Sequence, residues 1–472
     1  MKNLLITIIK YEWLKMRRNP WQWLSLLVLA GASWFAFSYG EAEIKHQNET
    51  IASIQTSDDK QIDEFINAFA QDTSTSEGLT AYKKAQDPAN MRWQLSRHVV
   101  SSPSELAQLS LGQRDVYPYY LKFRKNSSYY MQIFQSELNN PFKLLVGHFD
   151  FSFVMIYLLP LWIIAIAYNI LSSEKDMGTY ALLRLQGGSL QFITFYRLMF
   201  YFTVTLLCVT LIYMIGINIL AIGFSLKIVY FYFGLVAYIT CWFGILYLLI
   251  SLNKDSSFNI LSLLSMWVFF LIALPAFSNL IAYSVKKVDN KHLSNIIRRK
   301  PIEETPENAR NLIWKLSEME PRLHPIDTSS NTFLIGKAYY AFHAISDMEE
   351  KPIVNKYLAQ VESRVAWLGY FEWINPAVMI QSICNQLAHT DYDAHAHFME
   401  QSQSFHDMMN MISLKKLMKD QFLEKEDYQR LRDASLAGYE ENTGLLLGRI
   451  FWLMIMGVAL FYFGQYNLKK AH

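Results

Sequence analysis

The chain has 472 residues, 52% of them hydrophobic and 15% aromatic, and only 18% carry charge. That balance is too apolar for an average soluble domain, and a net charge of +2 argues against a nucleic-acid binder. There are three cysteines; Cys208 and Cys241 sit inside apolar runs and Cys384 has no evident partner, so a disulfide framework is excluded.

Residues 1–20 read as an amphipathic helix lying in the headgroup plane. Leu5, Ile8, Ile9, Trp13 and Met16 share one face, and Lys10, Lys15, Arg17 and Arg18 fall largely on the other. Glu12 lands on the apolar face and needs a partner. The basic stretch is too long for a cleavable signal, which predicts a retained anchor. Residues 21–40 form a first uncharged span, with Trp21 and Trp23 at the interface. Residues 41–148 are polar and predict a mostly helical extracytoplasmic lobe, opened by Ile44, Ile51, Ile54, Ile62, Phe65 and Ile66 at helical intervals.

Residues 149–171 are a second span, kinked at Pro160 because proline removes a helix hydrogen bond, with Asp150 read as a cap. A polar island follows at 172–190, then spans at 192–224, 228–252 and 257–284. Pro275 divides the last of these and is the expected break between a full helix and a shorter piece. Residues 285–443 predict a second lobe of domain size, with long helices around Asn375-Pro376. A sixth span at 444–466 carries Arg449 near its outer end, and 467–472 form a tail.

Six spans put both termini on one side. Lys10, Lys15, Arg17, Arg18, Lys175, Arg184, Lys254, Lys469 and Lys470 share that side, which the positive-inside rule makes cytoplasmic. The basic residues between Lys286 and Lys300 disagree, but long domains translocate largely regardless of charge. A fifth stretch that turned back without crossing would instead leave the second lobe in the cytoplasm.

The island is short and sits between uncharged runs longer than the roughly 20 residues a membrane helix needs. Ser173 with Asp176, and Thr179, offer helix caps. Tyr180 to Gln186 is helix-permissive, and Gly187-Gly188 is a stop. Glu174-Lys-Asp-Met-Gly-Thr-Tyr-Ala-Leu-Leu resembles the Glu-x-x-x-Gly-Thr-Leu-x-x-Leu signature of type-2 ATP-binding-cassette permeases, with Tyr180 where that family usually has Leu. Arg17-Arg18-Asn19-Pro20 resembles the end of the elbow helix that opens many such permeases. Residues 140–150, and Asn375-Pro376 followed by Asn385-Gln-Leu-Ala-His-Thr-Asp391, are similar to a subfamily with large external domains, His389 replacing its usual Gly.

The resemblance implies an all-α polytopic membrane protein: six transmembrane helices, an N-terminal elbow helix, a cytoplasmic coupling helix and two mostly helical extracytoplasmic lobes. It implies an exporter subunit of the bacterial inner membrane that pairs with a second permease, identical or paralogous, and with a separate ATPase. Glu174, Lys175, Asp176, Gly178, Thr179, Leu182 and Leu183 would be the ATPase contact, and Glu12, Arg17 and Arg18 the elbow positions. An alternative output is force applied to an extracytoplasmic protein, as in metalloenzyme maturation. Membrane lipid is the surrounding partner.

No Gly-x-x-x-x-Gly-Lys-[Ser/Thr] occurs, and Gly336-Lys337 lacks the preceding phosphate-cradling glycine, so ATP and Mg are expected on the partner and no cofactor on this chain. The spans lack embedded carboxylates, which favours an ATP-driven partner over ion coupling. His389, Asp391, Asp393, His395, His397 and His406 lack chelating spacing and predict no metal. Met399, Met408, Met409, Met411 and Met418 read as packing. No nucleophile elbow is found, so the chain is not expected to be an enzyme.

Overall fold

A computed structural model describes residues 2–114, 116–123, 128–136, 149–181, 190–289, 305–323, 326 and 334–470. Among them, six helices are long and apolar enough to cross a membrane: Pro20–Ala68, Phe151–Asp176, Leu190–Ile219, Leu226–Ser251, Ser256–Val285 and Thr443–Lys470. They are the first to sixth spans here. The apolar stretch of the fourth span is 78% buried and that of the second 67%, against 11% in the fifth. The second and fourth therefore form the centre of the bundle, and the others present broad apolar faces outward.

Glycine sets the closest helix approach. A Cβ on Gly244 would stand 2.7 Å from the Gly457 carbonyl oxygen, and one on Gly464 2.7 Å from Tyr247 Cδ1. The fourth and sixth spans thus touch backbone to backbone, as small residues permit between membrane helices.

Both expected proline irregularities are π-turns. Val154–Leu158 precedes Pro160 and Phe269–Ala273 precedes Pro275. A proline offers no N–H to the turn below it, so a carbonyl there needs another donor. Tyr238 donates its hydroxyl to the Ile156 carbonyl at 2.8 Å, and Asn375 donates its amide to the Phe270 carbonyl at 2.7 Å. The expected break at Pro275 is corrected accordingly. The fifth span runs unbroken from Ser256 to Val285, because the wider turn absorbs the missing bond.

The first span does not stop at residue 40. It continues for 49 residues to Ala68, a length of about 74 Å at 1.5 Å per residue. Ile44, Gln47, Ile51, Asp58 and Ile62 carry its buried stripe on into the polar region. Gly40 is needed where it is because a Cβ there would collide with the Gln108 carbonyl. Asp150 caps the second span by accepting the Phe153 N–H at 2.7 Å, and its other oxygen accepts the Leu111 N–H at 2.8 Å.

The two polar regions, expected as separate lobes, interlock. Arg97–Val100 and Tyr120–Phe123 pair as an antiparallel ribbon. One shared core joins Ile62, Met91 and Phe123 of the first region to Phe398, Phe405 and Tyr428 of the second. Ser110 donates to Asn385 Oδ1 at 2.8 Å, Tyr129 to the Met399 carbonyl at 2.8 Å and Tyr428 to the Ala85 carbonyl at 2.8 Å. Two segments of one body lie on one side of the bundle, so the four spans between them make an even number of crossings. Lys227, in the first turn of the fourth span, reaches Glu441 at 2.7 Å. A fifth span that turned back is incompatible with this packing.

His389 ends helix Pro376–Ala388 at φ +55°, a left-handed position that favours glycine. Its ring supplies what glycine could not. Nε2 lies 2.8 Å from Glu441 Oε2 and 3.0 Å from Lys227 Nζ, joining that helix to two span ends.

Candidate functional site

The polar island leaves the second span as its C-terminus. Ser172–Asp176 is a short helix after a turn at 168–171, and its N-cap position is Leu171, whose side chain has no group to cap with, so Ser173 lies inside the helix and does not cap it, contrary to expectation. Gly178 has φ +72°. Its N–H bonds to the Lys175 carbonyl at 3.0 Å, and the Thr179 N–H bonds to the Glu174 carbonyl at 2.9 Å. That pair of bonds is the Schellman termination, which places a left-handed residue at this position. A Cβ on Gly178 would meet nothing within 4 Å. Its backbone angle alone asks for glycine, at about 1–2 kcal/mol for any other residue. The spacing from Glu174 to Gly178 is therefore the spacing of a helix stop.

The Glu174 side chain turns inward. Its Oε2 accepts from Thr179 Oγ1 at 2.5 Å, and its Oε1 lies 2.8 Å from Arg197 Nη1 of the third span. Arg197 Nε lies 3.0 Å from Glu12 Oε1, and Tyr201 donates to Glu12 Oε2 at 2.9 Å. Arg197 also donates to the Ile170 carbonyl at 3.1 Å. Glu12 is 1% exposed, Glu174 5% and Arg197 6%. One guanidinium thus binds two buried carboxylates, one from the first helix and one from the island. Its planar fork suits that double contact.

A second set of bonds ties the island to the turn between the fourth and fifth spans. Lys175 donates to the Asn253 carbonyl and sits 5.3 Å from the Tyr180 ring centroid. Asn253 donates its amide to the Tyr180 hydroxyl at 3.0 Å. A leucine could not accept that bond, which gives the Tyr180 departure a local reason. Ser256 donates to Asp176 Oδ2 at 2.5 Å and lies 2.7 Å from Ser172 Oγ. Asp176, Met177 and Gly178 are left as an exposed knuckle, with Met177 59% exposed.

The first helix, Lys2–Arg18, packs the i, i+4, i+8 stripe of Ile8, Glu12 and Met16 against the protein, with Arg197 holding Glu12, while Ile9 and Trp13 of the apolar face stay on the protein surface. Arg17 and Arg18 are exposed at its end, and Asn19 caps the first span by accepting from the Trp21 N–H at 3.1 Å. Pro160 and Pro275 lie in the second and fifth spans, away from this junction. Leu182 and Leu183 lie outside the described residues. Sequence reasoning passed over Arg197, Tyr201, Asn253 and Ser256. The signal for the first was present as two misfits of opposite sign, an acid on an apolar helix face and an arginine in an apolar run.

The histidine-rich stretch of the external body is distributed over separate environments. His395 stacks on Tyr117 with ring centroids 4.0 Å apart, His397 lies 5.6 Å from Tyr439, and His406 lies 5.1 Å from Phe123. Asp391 caps helix Tyr392–Met418 through the Ala394 N–H at 3.2 Å. Gly336 and Lys337 lie inside helix Leu334–Glu372, where the fully buried Lys337 amino group is 2.8 Å from Asp420.

Burial holds His395 down to about 4, so it is neutral in the fold at pH 7. Below its ordinary value of 6.5, the unfolded chain takes up a proton that folded His395 refuses. The stability His395 confers above pH 6.5 is therefore lost as pH falls toward 4. His395→Phe keeps a ring against Tyr117 and removes that dependence. The expected result, from melting temperature against pH, is a smaller decline for the variant than for the native chain between pH 6.5 and 4.

Residues 316–433 match a family described as a domain of unknown function, DUF3526, a region that includes helix Pro376–Ala388, packed against the spans, and helix Tyr392–Met418 of the polar body. No curated protein and no solved structure matches the chain.

Proposed function

We propose that this chain is the permease subunit of an ATP-driven exporter of the type-2 ATP-binding-cassette class, with both termini in the cytoplasm of a bacterial inner membrane. A separate ATPase would dock on the exposed Asp176-Met177-Gly178 knuckle and carry ATP and Mg, and a second permease, identical or paralogous, would complete the pore. The observation that carries this reading is the buried Glu12–Arg197–Glu174 linkage. A push on the knuckle reaches the third span and the first helix through one guanidinium, and the turn between the fourth and fifth spans through Lys175 and Ser256. Rigid coupling of a surface element to several spans at once is what a rigid-body transition requires. In this reading Glu174 is the inner anchor of the lever, while Asp176 and Met177 face the ATPase.

A second output is favoured by the 49-residue first span, which enters the external body without a joint. Motion of the bundle would then pull on a protein held by that body.

The test uses complexes purified from native membranes through a tag on this chain. Met177→Glu, at a 59% exposed position, is expected to leave the melting temperature unchanged and to lower co-purifying ATP hydrolysis roughly tenfold, the scale of losing an interface hot spot. Full hydrolysis by that variant would reject the knuckle as the docking point.

A further inference from the structure

The external body holds a cleft of about 990 Å³, remote from the junction. Helix Leu334–Glu372 forms one wall. Its N-terminal part packs with Pro306–Met319 around Ile313, Leu316 and Tyr340. Near its other end Arg364 grips the Lys286 carbonyl, at 2.9 Å through Nε and 2.8 Å through Nη2, just beyond the fifth span. Between those anchorages, residues 351–362 face the first half of helix Tyr392–Met418 across the open space. The cleft is thus built by a helix fixed at both ends, and one end of it lies beside the membrane face.

Its lining is aromatic and acidic. Tyr117, Tyr129, Tyr130, Tyr357 and Tyr392 contribute five phenol rings. Among the described lining residues, the carboxylates of Glu362, Asp393 and Glu400 outnumber the one ammonium, that of Lys351. His395, also on the wall, is neutral at pH 7, so it adds no repulsion toward a cation. Val354, Leu358, Val361 and Met399 supply apolar surface. The volume is that of a pocket for a drug-sized molecule, and aromatic faces with nearby carboxylates attract organic cations more than neutral or anionic ligands.

We propose that this cleft binds an amphiphilic organic cation, an apolar or aromatic body bearing one diffuse positive charge. The site needs neither nucleotide nor an ATPase, so it stands apart from the coupling role proposed above. The probe is radiolabelled tetraphenylphosphonium, measured on the full chain in lipid nanodiscs with empty discs subtracted. Saturable one-to-one binding is expected. Glu362→Gln with Glu400→Gln, two exposed charge changes, should weaken it roughly tenfold. Leu358→Arg, at a 43% exposed position on the wall, should put a like charge in the cleft and weaken binding while the melting temperature holds. Unlabelled tetraphenylborate, the same shape with the opposite charge, should fail to compete. Absence of saturable binding, binding unchanged in both variants, or equal competition by tetraphenylborate would each overturn the proposal.

Discussion

Replacing Arg197 by methionine is expected to destabilise the chain by roughly 3–5 kcal/mol, the cost of removing one partner from a buried ion pair. The guanidinium is the shared partner of Glu12 at 3.0 Å and Glu174 at 2.8 Å, and those acid side chains are 1% and 7% exposed. Methionine fills the volume but leaves two carboxylates facing each other with no cation between them. Arg197→Lys should recover only part of the loss, because an ammonium lacks the planar fork that reaches both acids at once. Adding Glu12→Gln and Glu174→Gln to Arg197→Met should restore most of it, since a neutral cluster of the same shape has no charge left to desolvate. Melting curves of the purified chain in detergent measure all four proteins. If Arg197→Met melted like the native chain, the linkage would not be structural. The triple variant then separates roles. A stable chain that no longer drives hydrolysis would show that the charges transmit motion as well as hold the junction.

Gly457→Val is expected to break the central packing of the bundle. A Cβ there would sit 2.9 Å from both Cys241 N and Thr240 C, which are backbone atoms of the fourth span. Overpacking usually costs about 1–3 kcal/mol when side chains can yield. Here the obstacle is main chain, so the two helices must separate and the Gly244 and Gly464 contacts open with them. The expected readout is a large drop in melting temperature and in yield of folded protein. Gly448→Val on the same helix is the control, because a Cβ there meets nothing within 4 Å and should leave melting unchanged. Equal behaviour of the two variants would show that helix propensity, not close approach, governs the sixth span.

Much of this architecture was legible from local signals. Uncharged runs long enough to cross a bilayer marked six spans, because hydrocarbon length is a matter of counting. Asp150 read as a cap, and it is one. Pro160 and Pro275 marked irregular turns, but their form depended on donors from elsewhere in the chain, Tyr238 and Asn375. The helical wheel of the first helix showed that Glu12 needs a partner, but it could not say that the partner is Arg197 of the third span. The island's signature reads as a helix start with its stop at Gly187-Gly188, whereas Gly178, at φ +72°, ends the helix that precedes it.

The sequence by itself therefore determined the spans, the positions of the two proline irregularities and the presence of one acid, Glu12, on an apolar helix face. Only the tertiary structure decided which charges meet, that the two polar segments share one core, and that a long helix lines a tyrosine-rich cleft. The physical reason is range. Caps, kinks and hydrophobic runs depend on neighbours within a few residues. Glu12 and Tyr201 are 189 residues apart, and Ser110 and Asn385 are 275 apart. Pairings at that distance are chosen by how whole helices pack, which no short stretch of chain encodes.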